Sequence, residues 1–197
     1  MSNAENELKL CKFLLQKYAD IINDREKRTI GEIKELVNGK DLSVQSFVQD
    51  LKGNAYLFED DYEAALRKVL EQVKNEIDFV DADLGINYWL SAKEVLETKV
   101  ADDEDLAVFM CAIMKALEDD GAEVIIAELD DLKTHAFAAT TLKDQNNFLI
   151  LDPAQEHDFN AFRGTKADVI RKYSFQKQKI KRFLYRFNSE KYEQFLE

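Results

Sequence analysis

The sequence predicts an α+β fold in which a buried helix packs on an antiparallel sheet, with a helical extension at the N-terminus. Apolar residues recur at helical spacing through the first eighty residues. Four acidic residues, 102–105, then directly precede a long apolar segment, which is typical of the start of a buried helix. Short β-like runs separated by turn residues fill most of the remaining chain. Helices followed by strands in this order are typical of α+β proteins.

The composition is that of one compact domain with an acidic surface. The 197 residues are 46% hydrophobic and include only six Gly and one Pro, which favours a helix-rich globular protein. The net charge of −12 makes nucleic acids and anionic membranes poor partners, because it would repel their phosphate groups. No apolar run approaches the ~18 residues of a membrane span. We therefore expect no nucleic-acid partner, no membrane partner and no cofactor.

Cysteine usage and the chain ends bear on location and domain organisation. Cys11 and Cys111 lie in apolar helical patterns and are expected to be buried and unpaired, which fits a cytoplasmic location. Residues 1–4 resemble a remnant of cloning and are set aside. We divide the rest into a helical extension, 5–80, and a main domain, 81–197.

The extension is expected to contain four helices. Their predicted spans are 5–23, 30–37, 43–51 and 60–79. Thr29 is placed to cap the second helix, because Glu32 three residues later completes a capping box. No residue in this part of the chain carries recognisable chemistry.

The main domain is expected to combine two helices with a sheet. A capping box of Ser91 and Glu94 opens a short helix, and the buried helix runs from about Asp102 to Gly121. The predicted strands are 123–129, 134–141, 147–151, 169–175 and 180–187, and Asn188-Ser189 is expected to cap a last helix to Leu196. The turn residues 144–147 indicate that the second and third of these strands form an antiparallel hairpin.

Several motifs occur in an informative order along this domain. Trp89 precedes the short helix, and Asp102-Asp103-Glu104-Asp105 opens the buried helix. His135-Ala136-Phe137 lies on one strand, and Leu151-Asp152-Pro153 ends another. Together they resemble the transglutaminase-like (papain-like) cysteine hydrolase superfamily over residues 88–153, about a third of the chain. The resemblance implies a family cleft at these residues, with Trp89 beside it.

The resemblance also assigns roles, with one departure. In that superfamily a cysteine at the helix N-terminus is the nucleophile, a histidine moves the proton and an acidic residue orients the imidazole. It implies that His135 and Asp152 hold the second and third positions. Asp103 stands where the family keeps its cysteine, and Ala101 replaces the usual glycine. A carboxylate carries a negative charge as a thiolate does, but it is a far poorer acyl acceptor. Cys111 lies eight residues further on, about 12 Å along the helix, and is not expected to replace it.

Each of these residues also has a simpler interpretation. Asp102 and Asp103 are good helix caps without any active site, and Asp152-Pro153 is a common turn pair. His135 on an alternating strand is consistent with an isolated polar residue, and Trp89 with a core residue. His157 lies in an acidic loop and is expected to be exposed.

Three functions follow from these alternatives. The favoured one is a catalytically inactive member of the superfamily that binds a protein or peptide in the old cleft. The second is a hydrolase of altered mechanism, in which Asp103, His135 and Asp152 hold a divalent metal ion and its water. The third is a scaffold that acts through the N-terminal helices.

Overall fold

A computed structural model describes residues 3–52, 55–81, 84–142 and 147–196. The helices within these ranges are α1 (Asn3–Arg25), α2 (Ile30–Leu36), α3 (Leu42–Lys52), α4 (Phe58–Glu76), α5 (Ala92–Thr98), α6 (Asp103–Ala116) and α7 (Lys166–Lys172). The strands are β1 (Asp78–Phe79), β2 (Val100–Ala101), β3 (Glu123–Leu129), β4 (Thr134–Thr141), β5 (Phe148–Leu151), β6 (Arg163–Gly164), β7 (Ser174–Phe175), β8 (Gln178–Phe187) and β9 (Tyr192–Gln194). None of these helices is long and apolar enough to cross a bilayer.

One antiparallel sheet organises the second half of the chain. Its strand order is β6-β5-β4-β3-β8-β7. Strand β9 pairs with the last residues of β8, 185–187. The predicted hairpin is confirmed, since β4 and β5 pair with Ala139 opposite Ile150. Its turn, at 144–146, lies outside the described residues. A separate parallel pair, β1 with β2, ties the end of α4 to the segment that leads into α6.

Helix α6 is the buried helix that the acidic run predicts. The Asp102 side chain caps it by accepting a 2.9 Å hydrogen bond from the Asp105 amide. Every residue from 105 to 114 is buried, and one face packs on the β4 residues Ala136 and Ala138. The helix ends at Ala116 rather than near Gly121, because the chain turns at Glu118 with a φ of 73°.

Helices α3 and α4 bury their apolar faces in the same core as α6, and the half-buried Ile33 and Leu36 of α2 pack against that core. The predicted Thr29–Glu32 capping box is present at the start of α2. Val44 and Val48 of α3 are fully buried, and Phe47 meets Phe109 of α6 edge to face with ring centroids 5.4 Å apart. The division of the chain at residue 80 stays a prediction.

Helix α1 differs from the prediction for its apolar stripe. It has no buried residue, and side chains such as Leu8 and Phe13 are exposed. Cys11 is therefore exposed, not buried as predicted, whereas Cys111 in α6 is fully buried. Helical spacing of apolar residues indicates a helix, but it does not decide whether another element covers that face.

Two predictions for the last thirty residues are wrong. Of the predicted strand 169–175, Ser174 and Phe175 form β7, but residues 169–172 belong to helix α7, because the Thr165 hydroxyl caps that helix by accepting from the Asp168 amide. The predicted terminal helix is replaced by strand β9. The Asn188 side chain accepts from the amides of Glu190 and Lys191, and this turn returns the chain alongside β8 instead of starting a helix.

Gly39, in the turn before α3, lies against the backbone at the end of α6. A Cβ built on Gly39 would lie 2.6 Å from the amide nitrogen of Ala116, at the end of α6. We expect Gly39→Ala to lower the free energy of unfolding by about 1 to 3 kcal/mol, because backbone atoms must move apart. Chemical denaturation monitored by circular dichroism measures this change.

Gly31→Ala in α2 is the matched control. A Cβ there meets nothing closer than 3.7 Å, and alanine favours a helix over glycine. We expect this variant to be unchanged or more stable by up to about 1 kcal/mol. Equal behaviour of the two variants would contradict the tight docking of this turn on α6.

Candidate functional site

The structure brings together the three residues that the sequence singled out. Asp103 is the first residue of α6, His135 the second residue of β4, and Asp152 follows directly after β5. The Nδ1 atom of His135 lies 2.9 Å from Oδ2 of Asp103. Its Nε2 atom lies 3.1 Å from Oδ2 of Asp152. The imidazole ring is therefore held between two carboxylates and donates to both.

The Asp152 carboxylate is fully buried and has several further donors. The Tyr173 hydroxyl and the Gln155 side-chain amide each donate to Oδ2 at 2.6 Å. The amide of Ala154 donates to Oδ1 at 3.1 Å. Sequence reasoning missed Tyr173 and Gln155, since neither lies in a recognisable motif. Their donors stabilise the negative charge that faces His135.

Asp103 and the ring of His135 are fixed from other directions. The Oδ2 atom of Asp103 also accepts a 2.8 Å hydrogen bond from the Ala136 amide, so that α6 is bound directly to β4. The ring of Phe175 stacks on His135 with centroids 3.6 Å apart and planes 11° from parallel. His135 is only 1% exposed, while the Asp103 side chain is 23% exposed. Asp103 is thus the member of the group that solvent reaches.

The two carboxylates decide the charge of the imidazole. Burial alone would lower the pKa of His135, but the hydrogen bonds and charges of Asp103 and Asp152 outweigh it and raise the pKa to about 9. Burial would raise the pKa of Asp152, yet the bond to His135 holds it below its usual value. The group is thus an imidazolium between carboxylates at neutral pH. Because an unfolded histidine titrates near pH ~6.5, this stabilisation is complete below that pH and is lost as the pH rises towards 9.

The other acidic residues at the start of α6 have raised pKa values. Burial and the charges of Asp102 and Asp103 raise the pKa of Glu104 to about 7. Burial and the charge of Asp102 raise the pKa of Asp105 to about 8, although its carboxylate accepts a hydrogen bond from the Leu90 amide. The four-residue acidic run therefore carries less than its formal charge at neutral pH.

A cleft of about 840 Å³ opens beside this group. Asp103 and His135 lie on its wall together with Phe175. The remaining described walls come from α1, from the 79–90 segment, from the β3–β4 turn and from the residues around β7. This volume is within the range of binding sites for small molecules and short peptides.

Two side chains have surroundings that differ from those expected: Trp89 does not line the cleft, and His157 is not exposed. Trp89 is a core residue, as its simpler interpretation held, and its indole meets Phe187 on the far side of the segment rather than lining the cleft. Its neighbours Tyr88 and Leu90 line the cleft instead, because alternate residues of an extended segment face opposite sides. His157 is half-buried rather than exposed, with Nε2 3.0 Å from the Asp152 carbonyl oxygen.

Neither Cys111 nor a cluster of metal-binding side chains in the described residues adds chemistry at this site. Cys111 is fully buried in α6, and burial raises the pKa of its thiol. Within the described ranges, no group of three or more His, Cys, Asp or Glu side chains is placed to hold a metal ion. Both nitrogens of His135 already face carboxylates, so neither is open to a metal.

Several solved structures are similar to this one, although no family model and no curated protein matches the sequence. LapG of Legionella pneumophila superposes with a TM-score of 0.55 at 17% identity, covering 93% of this chain and 87% of that one. The calcium-bound form of the same protein gives 0.54 at 17% identity, with 85% and 88% covered. The chain has a LapG-like fold.

The LapG likeness confirms the fold class predicted from the sequence. This chain combines helices with a curled antiparallel sheet, and its superposition on LapG shows that the two share a fold. The site described above lies at the N-terminus of α6, on β4 and directly after β5.

The charge of the imidazole can be measured directly. We expect proton NMR titration to give His135 a pKa near 9, which falls by about 1 to 2 pH units in Asp103→Asn because one of its two carboxylates is lost. His135 and His157 are the chain's two histidines, so their assignment by substitution is direct.

Asp102→Asn is the control for this titration. Asn is as good a helix cap as Asp, and the Asp102 side chain bonds to the Asp105 amide rather than to His135. The pKa of His135 should therefore change little in this variant. An equal decrease in both variants would mean that the general acidity of the α6 N-terminus, not the contact with Asp103, sets the charge of the ring.

Proposed function

We propose that this protein is a catalytically inactive relative of the transglutaminase-like cysteine hydrolases that binds a protein or peptide segment in its cleft. The observation that supports this is the position of Asp103, a carboxylate at the first turn of α6, 2.9 Å from Nδ1 of His135. In an active enzyme of this kind a cysteine thiolate occupies that place. Asp103 and His135 would then be the remnant of a thiolate–imidazolium pair, with Asp152 as the orienting acid.

The chemistry of this group favours binding over catalysis. A carboxylate is a weak nucleophile at neutral pH, whereas a thiolate at a helix N-terminus is a strong one. His135, with a pKa of about 9, is already protonated at neutral pH and is a poor general base. The Oδ2 atom of Asp103 also accepts a hydrogen bond from the Ala136 amide. Among the described residues of the cleft wall, none is poised to attack a carbonyl carbon by itself.

The metal-assisted hydrolase is the weaker alternative. It would require Asp103, His135 and Asp152 to turn their polar atoms towards one ion. The two carboxylates instead lie on opposite edges of the imidazole ring, each within hydrogen-bond distance of a different nitrogen. An ion held by all three residues would require at least one carboxylate to leave its histidine nitrogen.

The charge of the cleft indicates what it would bind. Five aspartates lie on its described walls, against one lysine. Asp103 is paired with protonated His135 and the pKa of Asp105 is raised to about 8, so the net negative charge comes mainly from the others. Asp81 and Asp131 are exposed at the mouth, where they attract positive charge with little desolvation cost. Exposed Leu132, in the β3–β4 turn, offers an apolar contact beside them. We infer that the partner is a segment rich in lysine or arginine that also carries apolar residues.

Restoring the nucleophile tests the assignment of Asp103. We expect the thiol of Asp103→Cys to react with iodoacetamide at pH 6 about tenfold faster than an ordinary exposed thiol, because the helix N-terminus and His135 favour the thiolate. Exposed Cys11 is an internal reference in the same chain, and buried Cys111 should not react. Peptide mass spectrometry over a time course measures all three rates.

Adding His135→Gln to this variant supplies the control. The enhanced rate should disappear, because the imidazolium that stabilises the thiolate is gone. If the introduced thiol reacts at the rate of Cys11 with or without His135, the basis for placing the family nucleophile at position 103 is removed. If the unmodified protein cleaves peptides and His135→Gln abolishes that cleavage, the hydrolase of altered mechanism replaces the inactive one.

The binding role has its own test. A fluorescent peptide of alternating lysine and leucine should bind with an affinity that falls as salt is added, since the attraction is electrostatic. Asp81→Asn combined with Asp131→Asn should weaken it about tenfold, as measured by fluorescence anisotropy. Glu97→Gln, which changes an exposed acid paired with Lys93 on α5, should have no effect. Equal weakening by Glu97→Gln would indicate diffuse attraction to the acidic protein and no use of the cleft.

A further inference from the structure

A second concave site lies at the other end of α6, away from the cleft. Its volume is about 420 Å³, and its walls come from the first turn of α4, the turn after α6 and the end of β4. The floor consists of buried Tyr62, Asp119 and Thr140. Acidic side chains surround the rim, and its described lining includes no basic residue. We call this cavity the α6 C-terminal pocket.

Asp119 at the floor is a buried carboxylate that receives only neutral hydrogen bonds. It is 5% exposed. The Tyr62 hydroxyl donates to Oδ2, and the Gly121 amide donates to Oδ1 at 2.9 Å. Burial and the charge of Asp119 hold the pKa of Tyr62 well above its usual value, so this hydroxyl stays a donor. In the described part of the chain Asp119 has no basic partner, and a buried carboxylate favours a cation beside it.

Thr140 supplies the second, independent observation. Its hydroxyl oxygen is buried and has no hydrogen-bond partner among the described residues, although the side chain is only 1% exposed. Buried hydroxyls are almost always paired. A Cβ built on Gly121 would lie 3.4 Å from this oxygen and 3.2 Å from Oδ1 of Asp119, so the two oxygens lie on the same side of Gly121. Both residues also line the pocket, which places the two acceptors together at its floor.

The surroundings of the two acceptors favour an organic cation. The pocket lies beyond the last turn of α6, where the helix dipole is negative. Phe58 and Tyr62 line one wall with ring centroids 4.8 Å apart, and aromatic rings attract ammonium groups and pack against methylene chains. A metal ion is a poorer fit, since no group of three or more metal-binding side chains is assembled in the described ranges.

The rim indicates that the cation carries more than one charge. Most of its acids have partners: Glu63 pairs with Arg163, Glu118 with Lys52 and Asp120 with Lys115, and Glu59 is not free either. Asp60 has no basic partner in the described residues and lies in the first turn of α4. A ligand with one ammonium at Asp119 and Thr140 would reach this rim through a short aliphatic chain along Phe58.

We propose that the α6 C-terminal pocket binds a short aliphatic diamine or polyamine. One primary ammonium group donates to the Asp119 carboxylate and the Thr140 hydroxyl at the floor, and a second lies at the acidic rim. This site is separate from the cleft and does not depend on the function proposed for Asp103 and His135.

Calorimetric titration of the full chain with spermidine tests the proposal. We expect saturable binding of one molecule, weakened about tenfold by Thr140→Val and by at least as much in Asp119→Asn, since each loses a hydrogen bond to a charged donor. Thr140→Val removes a hydroxyl that has no partner among the described residues, so it should fold as well as the parent protein. Glu97→Gln, an exposed acid on α5 that lines neither the pocket nor the cleft, is the matched control and should bind spermidine unchanged.

Each contrary result has a definite meaning. Absence of saturable binding at millimolar spermidine would overturn the proposal, as would equal weakening in Glu97→Gln, which would indicate diffuse attraction to the acidic surface. One-to-one binding of magnesium or calcium that is lost in Thr140→Val would make the pocket a metal site instead. Binding of Nα-acetyl-lysine amide as tightly as spermidine would assign it to the lysine side chain of a partner protein, against a free polyamine.

Discussion

The ring of His135 is the contact on which the arrangement of the main domain depends. It joins the first residue of α6 to the loop that follows β5, while its own backbone is part of β4. Asp103 adds a second link, because the same oxygen that accepts from the ring also accepts from the Ala136 amide. The buried helix is therefore fixed to the sheet at its N-terminus by polar contacts and along its length by apolar packing.

Such a group is stable only because its surroundings complete the hydrogen bonding. A charged imidazole at 1% exposure would be strongly unfavourable without a partner on each nitrogen. Asp152 is more deeply buried still, and Tyr173, Gln155 and Ala154 supply the donors that its oxygens need. Removing one member of this group would leave a neighbouring buried charge without its hydrogen-bond partner. This interdependence fixes the positions of Asp103, His135 and Asp152 relative to one another.

The sequence predicted those features that depend on neighbouring residues. Capping at Thr29, Ser91 and Asp102 depends on side chains three residues apart, and all three caps are present. It failed at residues 169–170, whose β-branched side chains favour a strand, because the local cap at Thr165 begins a helix there. It also failed where distant packing decides. Tyr173 and Gln155 could not have been assigned to the site, because the fold alone brings them to Asp152. The exposure of α1 likewise depends on what packs against it, which periodicity does not report.

The extended segment 88–90 connects the cleft to the opposite side of the molecule. Tyr88 and Leu90 line the cleft, while Trp89 between them points into a small apolar pocket beside Ile33 and Tyr185. Any ligand that displaces the outer two residues must also move the indole, because the three share one stretch of backbone. Trp89 is the chain's single tryptophan, so its fluorescence is a built-in signal of occupancy in a site that it does not touch.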